Sequence, residues 1–321
     1  MSFTVIGAGV AGLCIATELV KRGAEVRLID RAGEPGPHAC SWWAGGMLAP
    51  YCEGETAPGI VVRHGLAAAD WWEVHGAAVA RGGSLAIALG RDRQELDRFA
   101  RRTHENRFVA GEELAEIEPD LAGRFERALF FPSEAHLAPR QALSALSAGL
   151  RAKGVAITQE GVGSPGQVID ARGLSARDTL NDLRGVKGEM LLLSCPEITL
   201  SRPVRLLHPR IPIYLVPRGD GIYMLGATQI ESSDRSRATA RSVLELLSAA
   251  YALHPAFGEA EILEIGVDAR PAFPDNVPRL RRVGGRLHAN GLFRHGFLMA
   301  PALARMAADH LLMGATPELL Q

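Results

Sequence analysis

The chain has 321 residues, of which 47% are hydrophobic, enough at this length for a sizeable core and two domains. Thirty-five basic residues against thirty-six acidic leave a formal charge of −1, so no broad field draws the chain to nucleic acid or an anionic membrane. Cys14, Cys40, Cys52 and Cys195 show no CxxC or CxH spacing, which argues against a zinc site, another metal site or a disulfide framework and for reduced, cytoplasmic thiols. No basic segment precedes the first apolar run, and no apolar run reaches about eighteen residues, so neither a leader peptide nor a membrane span is expected.

The first element is a strand over Phe3 to Ile6, followed by Gly7-Ala8-Gly9-Val10-Ala11-Gly12 and a helical pattern from Leu13 to Arg22. A second strand, Val26 to Ile29, ends at Asp30. The glycines permit a tight turn, the helix start offers free N–H groups to a pyrophosphate, and the Asp30 carboxylate accepts from ribose hydroxyls. This βαβ grip suits NAD(P) or FAD alike. A Gly- and Pro-rich loop, Gly33 to Cys40, leads into Ser41-Trp42-Trp43-Ala44-Gly45-Gly46-Met47-Leu48-Ala49-Pro50, where paired glycines beside large apolar residues suit a flat ligand. Helices are expected at Ile60 to Val74, Asp92 to Arg102, Gly111 to Ile117 and Arg140 to Lys153, making the middle helix-rich.

Gly166 to Ala171 reads as a short buried strand, followed by Arg172-Gly173-Leu174-Ser175. The pattern then turns β-rich: Gly188 to Leu193, Val204 to Leu207, Ile211 to Val216 and Ile222 to Gly226, with a hairpin turn at Arg218-Gly219-Asp220-Gly221. A helix over Ala238 to Leu253 carries an apolar stripe of Val243, Leu246, Leu247, Ala250 and Tyr251 suited to packing on that sheet. Ile262 to Val267 is a strand leading to Arg270-Pro271, Leu287 to Ala289 is the last strand, and Leu298 to Met313 closes the chain as a helix whose first turn holds Pro301.

Taken together, GAGVAG with Asp30, SWWAGGMLAP, VKGEMLLL, IYLVPRGDGIYMLGAT, ARPAFPDNVP and NGLFRHGFLMAP resemble the D-amino acid oxidase family of flavoproteins, and within it the glycine oxidases of thiamin biosynthesis. The resemblance spans nearly the whole chain. It implies an α/β (α+β overall) fold, with a Rossmann-like FAD-binding domain from residues 1–80, 140–186 and 262–321 and a substrate domain on a mostly antiparallel sheet from 81–139 and 187–261. It implies FAD, bound non-covalently, because neither His38 nor Cys40 matches a family attachment point. Between Gly154 and Gly166 the chain is shorter than the family's usual excursion on the adenine side.

The implied reaction is oxidation of glycine or another small amine, such as sarcosine or a small D-amino acid. Hydride transfer to flavin N5 gives an imine, and oxygen is reduced to hydrogen peroxide. In this reading Arg270 binds the substrate carboxylate through its planar fork. Tyr214 bonds the same carboxylate, and Arg294 lies beside the flavin. The cofactor set is Gly7, Gly9, Gly12, Asp30, Arg31, Ser41, Gly45, Gly46, Met47, Gly173, His295, Gly296, Phe297 and Leu298. Gly296 to Pro301 would present N–H groups of the last helix to the flavin O2. Gln229 falls where relatives carry an apolar residue near the substrate. Asp275, Asp268 and Glu189 read as local loop or strand-end carboxylates. The family's members are often tetrameric. Competing readings are a dehydrogenase passing electrons to a quinone, an NAD(P)-dependent dehydrogenase, and a binding protein that kept only the nucleotide fold.

Overall fold

The computed structural model describes residues 1–160 and 166–321; residues 161–165, part of the stretch read as shortened, lie outside the described residues. A six-stranded sheet runs in the order Arg279–Val283, Arg286–Asn290, Gln167–Asp170, Ser2–Ile6, Glu25–Ile29, Ile157–Thr158. All its pairings are parallel except the edge hairpin of Arg279–Val283 with Arg286–Asn290. Helices Val10–Lys21, Pro139–Ala152 and Gly296–Met313 cover it, and Phe3, Val5, Leu13, Ile15, Leu143 and Leu303 are buried in one core.

The second sheet has nine strands, antiparallel apart from Ser84–Ala88 beside Val204–Leu207. Its spine is Arg184–Ser194, paired along its whole length with Glu261–Ala272. That pairing sets Val186 opposite Arg270 and Gly188 opposite Asp268, so Arg270 lies inside a strand rather than after one. The Pro271 carbonyl, at the end of this strand, accepts from Phe293 N at 2.9 Å, joining the second sheet to the turn before the last helix.

Several expectations need correction. The middle of the chain holds the expected helices Arg93–Arg102, Gly111–Ile117 and Pro139–Ala152, but strands of the second sheet that were not expected, Ser84–Ala88, Arg107–Ala110 and Arg127–Phe131, lie among them. Ser84–Ala88 is buried at every position and Arg127–Phe131 at all but the first, so neither shows the alternation that marks a half-exposed strand. The helix expected from Ile60 to Val74 is two, Gly59–Gly65 and Ala68–Val74. Tyr251 is exposed rather than part of the packed stripe, which Leu246, Ala250 and Leu253 form. The last helix starts at Gly296, so Pro301 stands in its second turn.

That proline has a cost and a remedy. Pro301 has no N–H for the carbonyl of Phe297 four residues earlier, and this region is buried. Trp72, itself fully buried, donates its Nε1–H to that carbonyl at 2.8 Å. Trp72→Phe should therefore destabilise the fold by about 1–3 kcal/mol in urea unfolding, the usual cost of an unsatisfied buried acceptor. In a Pro301→Ala background, where an N–H is restored, the same substitution should cost measurably less.

Candidate active site

One cavity of 580 Å³ is lined from both sheets. At its dinucleotide end Gly7 has φ +105 and donates its N–H to Ile29 O at 2.7 Å, and a Cβ there would fall 2.5 Å from Ala171 O. Gly9 precedes the helix Val10–Lys21 with no side-chain cap, so the N–H groups of the first turn stay open to an anion. Asp30 receives Ala8 N at 2.7 Å on one oxygen and Ala32 N at 2.9 Å on the other, tying the glycine turn to the second strand. Gly12 does not line the cavity; it is a packing glycine whose Cβ would lie 1.8 Å from Gly7 O.

The remaining expected cofactor residues, Arg31, Ser41, Gly45, Gly46, Met47, Gly173, His295, Gly296, Phe297 and Leu298, all border this cavity. These residues fit the dinucleotide that the fold implies. Ser41 Oγ is buried without a protein partner, and a Cβ on Gly9 would lie 3.7 Å from it, so the hydroxyl faces the uncapped helix start. Cys40 also borders the cavity, but burial pushes its thiol up to about 12, which leaves it a poor nucleophile at neutral pH. Gln159 and Arg286 border the same cavity and were missed, because each reaches it from a distant strand or loop.

At the other end lie Tyr214 and Arg270. The Arg270 guanidinium occupies the space above Gly188, where a Cβ would lie 2.2 Å from its Nη2. It donates to Thr228 O at 3.2 Å and, among the described residues, pairs with no carboxylate. Thr228 is held in turn by Glu189, whose N–H it accepts at 2.9 Å and whose Oε2 accepts from its hydroxyl at 2.9 Å. The Tyr214 ring is wedged between Gly45 and Gly226, at 2.9 and 2.7 Å from where their Cβ atoms would be. Gln229 is exposed and does not border the cavity, so it does not shape the substrate end. At the rim Arg235 grips Asp268 with both nitrogens, at 2.6 and 3.0 Å, and donates to His38 O at 2.6 Å.

Arg294 borders the cavity, but its head is taken up by Glu53, 2.8 Å away at Oε2, and by the Thr56 hydroxyl. Glu53 also accepts from Arg205 at 2.7 Å and has His295 Nδ1 at 3.4 Å. Burial alone would push the Glu53 carboxyl up, yet Arg294, Arg205 and His295 outweigh it and hold it well below the usual carboxylate range. Burial pushes His295 down to about 4, against the pull of Glu53 and with the push of Arg294 and Arg205, so its ring is neutral. No sequence signal marked Glu53, which meets its partners only through tertiary packing. Next to it, Glu134 accepts from Cys52 N at 2.7 Å and from the Ser84 hydroxyl.

The chain belongs to the DAO family, FAD dependent oxidoreductase, whose profile matches residues 2–310. It is 54% identical over 317 residues to a Rhizobium etli protein assigned to thiamine biosynthesis as the oxidoreductase ThiO, covering 97% of both chains. It is 30% identical to the glycine oxidase of Pseudomonas aeruginosa, covering 98% of this chain and 95% of that one. The crystal structure of glycine oxidase from Geobacillus kaustophilus superposes with a TM-score of 0.82 at 23% identity, over 99% of this chain and 95% of that one, and so shares the fold.

Burial pushes the Glu134 carboxyl up to about 7, against the Ser84 and Cys52 donors. A proton held more tightly in the folded state than in the unfolded adds stability below the ordinary carboxylate range and is lost as pH rises through about 7. Glu134→Gln should flatten this decline: the drop in urea midpoint between about pH 5.5 and about pH 8 should shrink relative to the parent.

Proposed function

We propose that this FAD-dependent oxidoreductase oxidises glycine or another small amine, sarcosine or a small D-amino acid, with dioxygen as acceptor, serving thiamine biosynthesis. The observation that carries this reading is the Arg270 guanidinium, free of any carboxylate among the described residues and set in the same cavity as the dinucleotide grip. A planar cation in a partly buried pocket is a ready partner for a carboxylate, bidentately. The Tyr214 ring stands at that end of the cavity and supplies a hydroxyl to the same group. Gly45, Gly188, Met190 and Tyr214 line that end of the cavity. The relatives named for glycine oxidation and for thiamine biosynthesis support the substrate class and the pathway.

FAD, when bound, supplies the two-electron acceptor. The protein's part is to hold the amine's carbon in one orientation and keep the site dry. With His295 pushed down to about 4 its ring binds a proton too weakly, and Glu53 is locked as an ion pair, so neither group is set to take a proton from the substrate ammonium. The substrate therefore reacts as the neutral amine, its proton lost to solvent on entry, and rate should rise with pH. In the same reading, segments 1–80, 140–186 and 262–321 hold FAD non-covalently, apart from the strand that ends at Ala272, which belongs to the second sheet and, through Arg270, joins 81–139 and 187–261 in shaping the substrate end.

Anaerobic addition of glycine, sarcosine or D-alanine to the yellow protein should bleach the flavin, and air should restore it with peroxide. Absence of bleaching with all three would sink the substrate assignment. Arg270→Ala should raise KM by tens to thousands of times, the equivalent of about 2–5 kcal/mol, with FAD retained. Gly188→Ala should act likewise, because its methyl would stand where the guanidinium lies; a KM unchanged in both variants would remove Arg270 from the site.

A further inference from the structure

Arg218 is a half-buried charge that neither the dinucleotide grip nor the carboxylate pocket explains. It stands four residues after Tyr214 on the strand Ile213–Gly219, where the pairing with Ile222–Gly226 shifts register between Pro217 and Gly219 and leaves Arg218 out of the ladder. One of its terminal nitrogens donates to Gly45 O at 2.8 Å and Ala44 O at 3.3 Å, the other to Leu137 O at 3.3 Å and Pro217 O at 3.5 Å. All four acceptors are main-chain carbonyls, and among the described residues no carboxylate pairs with it. Burial pushes this guanidinium down to about 10, an uncommon burden for arginine.

The wall it supports has no side chains at its centre, Gly45 and Gly46. A Cβ on Gly46 would lie 2.2 Å from Leu137 O, and one on Gly45 would press on the Tyr214 ring, so packing side chains cannot hold this stretch in place. Behind the wall lies a second cavity of 600 Å³, lined by Arg218, Leu137 and His136 among others. His136 is buried with Nδ1 unpartnered, and burial, with Arg218 and Arg202 adding to it, pushes it down to about 4. The layer of Arg218, Gly45, Gly46 and Leu137 stands between the two cavities.

We propose that Arg218 is a positioning residue of the oxidation site: from behind the cavity wall it clamps the Ala44 and Gly45 carbonyls, fixes the contact of Gly45 with Tyr214, and lends that wall a positive field. The proposal rests on the amine-oxidation reading for its substrate arm alone.

The test uses the FAD-loaded protein and two variants, Arg218→Met, which keeps the bulk, and Arg218→Lys, which keeps the charge but not the fork. Dye-equilibrated potentiometry without any amine should show Arg218→Met to favour oxidised flavin about tenfold more than the parent, a midpoint more negative by about 30 mV, with Arg218→Lys close to the parent. With glycine, both variants should raise KM about tenfold or more, because one ammonium cannot hold carbonyls on two sides of the wall. Parental potential and parental KM in folded, flavin-bound Arg218→Met would overturn the proposal. Should that variant fail to fold, parental KM in Arg218→Lys would do so. Because the potential is read without substrate, a protein that oxidises no amine still leaves the field of Arg218 measurable, and the two failures are distinguishable.

Discussion

The structure turns on a guanidinium lying where a side chain has been left out. Arg270 reaches across its own strand pair into the space over Gly188, and nothing acidic among the described residues meets it there. A cation held in this way is open to a carboxylate from outside the fold, the role the proposed function gives it. The register of Arg184–Ser194 against Glu261–Ala272 decides this, since Gly188 opposes Asp268 and so stands diagonally across from Arg270. A slip by one residue would turn Arg270 to the other face of the sheet. Thr228, held by Glu189, then fixes the direction of the fork.

The two sheets contribute different things to one cavity. The parallel sheet offers main-chain groups: an uncapped helix start, the open turn at Gly7, and Asp30 tied to the Ala8 amide. The antiparallel sheet offers side chains, Tyr214, Arg218 and Arg270, on strands rigid enough to hold them. Between them runs Ala44-Gly45-Gly46, pressed by Tyr214 at Gly45 and by Leu137 and Pro139 at Gly46 so closely that no Cβ fits at either glycine. Among the described residues neither Arg218 nor Arg270 meets a carboxylate, whereas Glu53 pairs with Arg205 and Arg294, and Arg235 with Asp268.

The dinucleotide end was legible in the sequence because its chemistry is contiguous: strand, glycine turn, helix, strand and Asp30 fall within thirty residues. Arg270 and Tyr214 were legible through family resemblance, and the structure brings them into the same cavity as the glycines. What escaped notice depends on long-range packing. Glu53, Gln159, Arg286 and Arg218 carry no local signature; Arg218 reads as a hairpin residue until its strand places it against Gly45. The strands Ser84–Ala88 and Arg127–Phe131 escaped because sheet and helices bury both their faces, erasing the period of two. Gln229 was misplaced for the opposite reason, since the chain turns outward just after the strand Ile222–Gly226.

The central claim is that Arg270 awaits a substrate carboxylate beside bound FAD. It is tested most directly by a crystal structure of the FAD-loaded protein with glycolate, a small carboxylate that lacks the amine. The account predicts the glycolate carboxylate against the Arg270 guanidinium, within hydrogen-bond reach of the Tyr214 hydroxyl, and FAD lying from Asp30 to the Gly45–Gly46 wall. Glycolate bound elsewhere, with Arg270 turned onto a protein carboxylate, would contradict it.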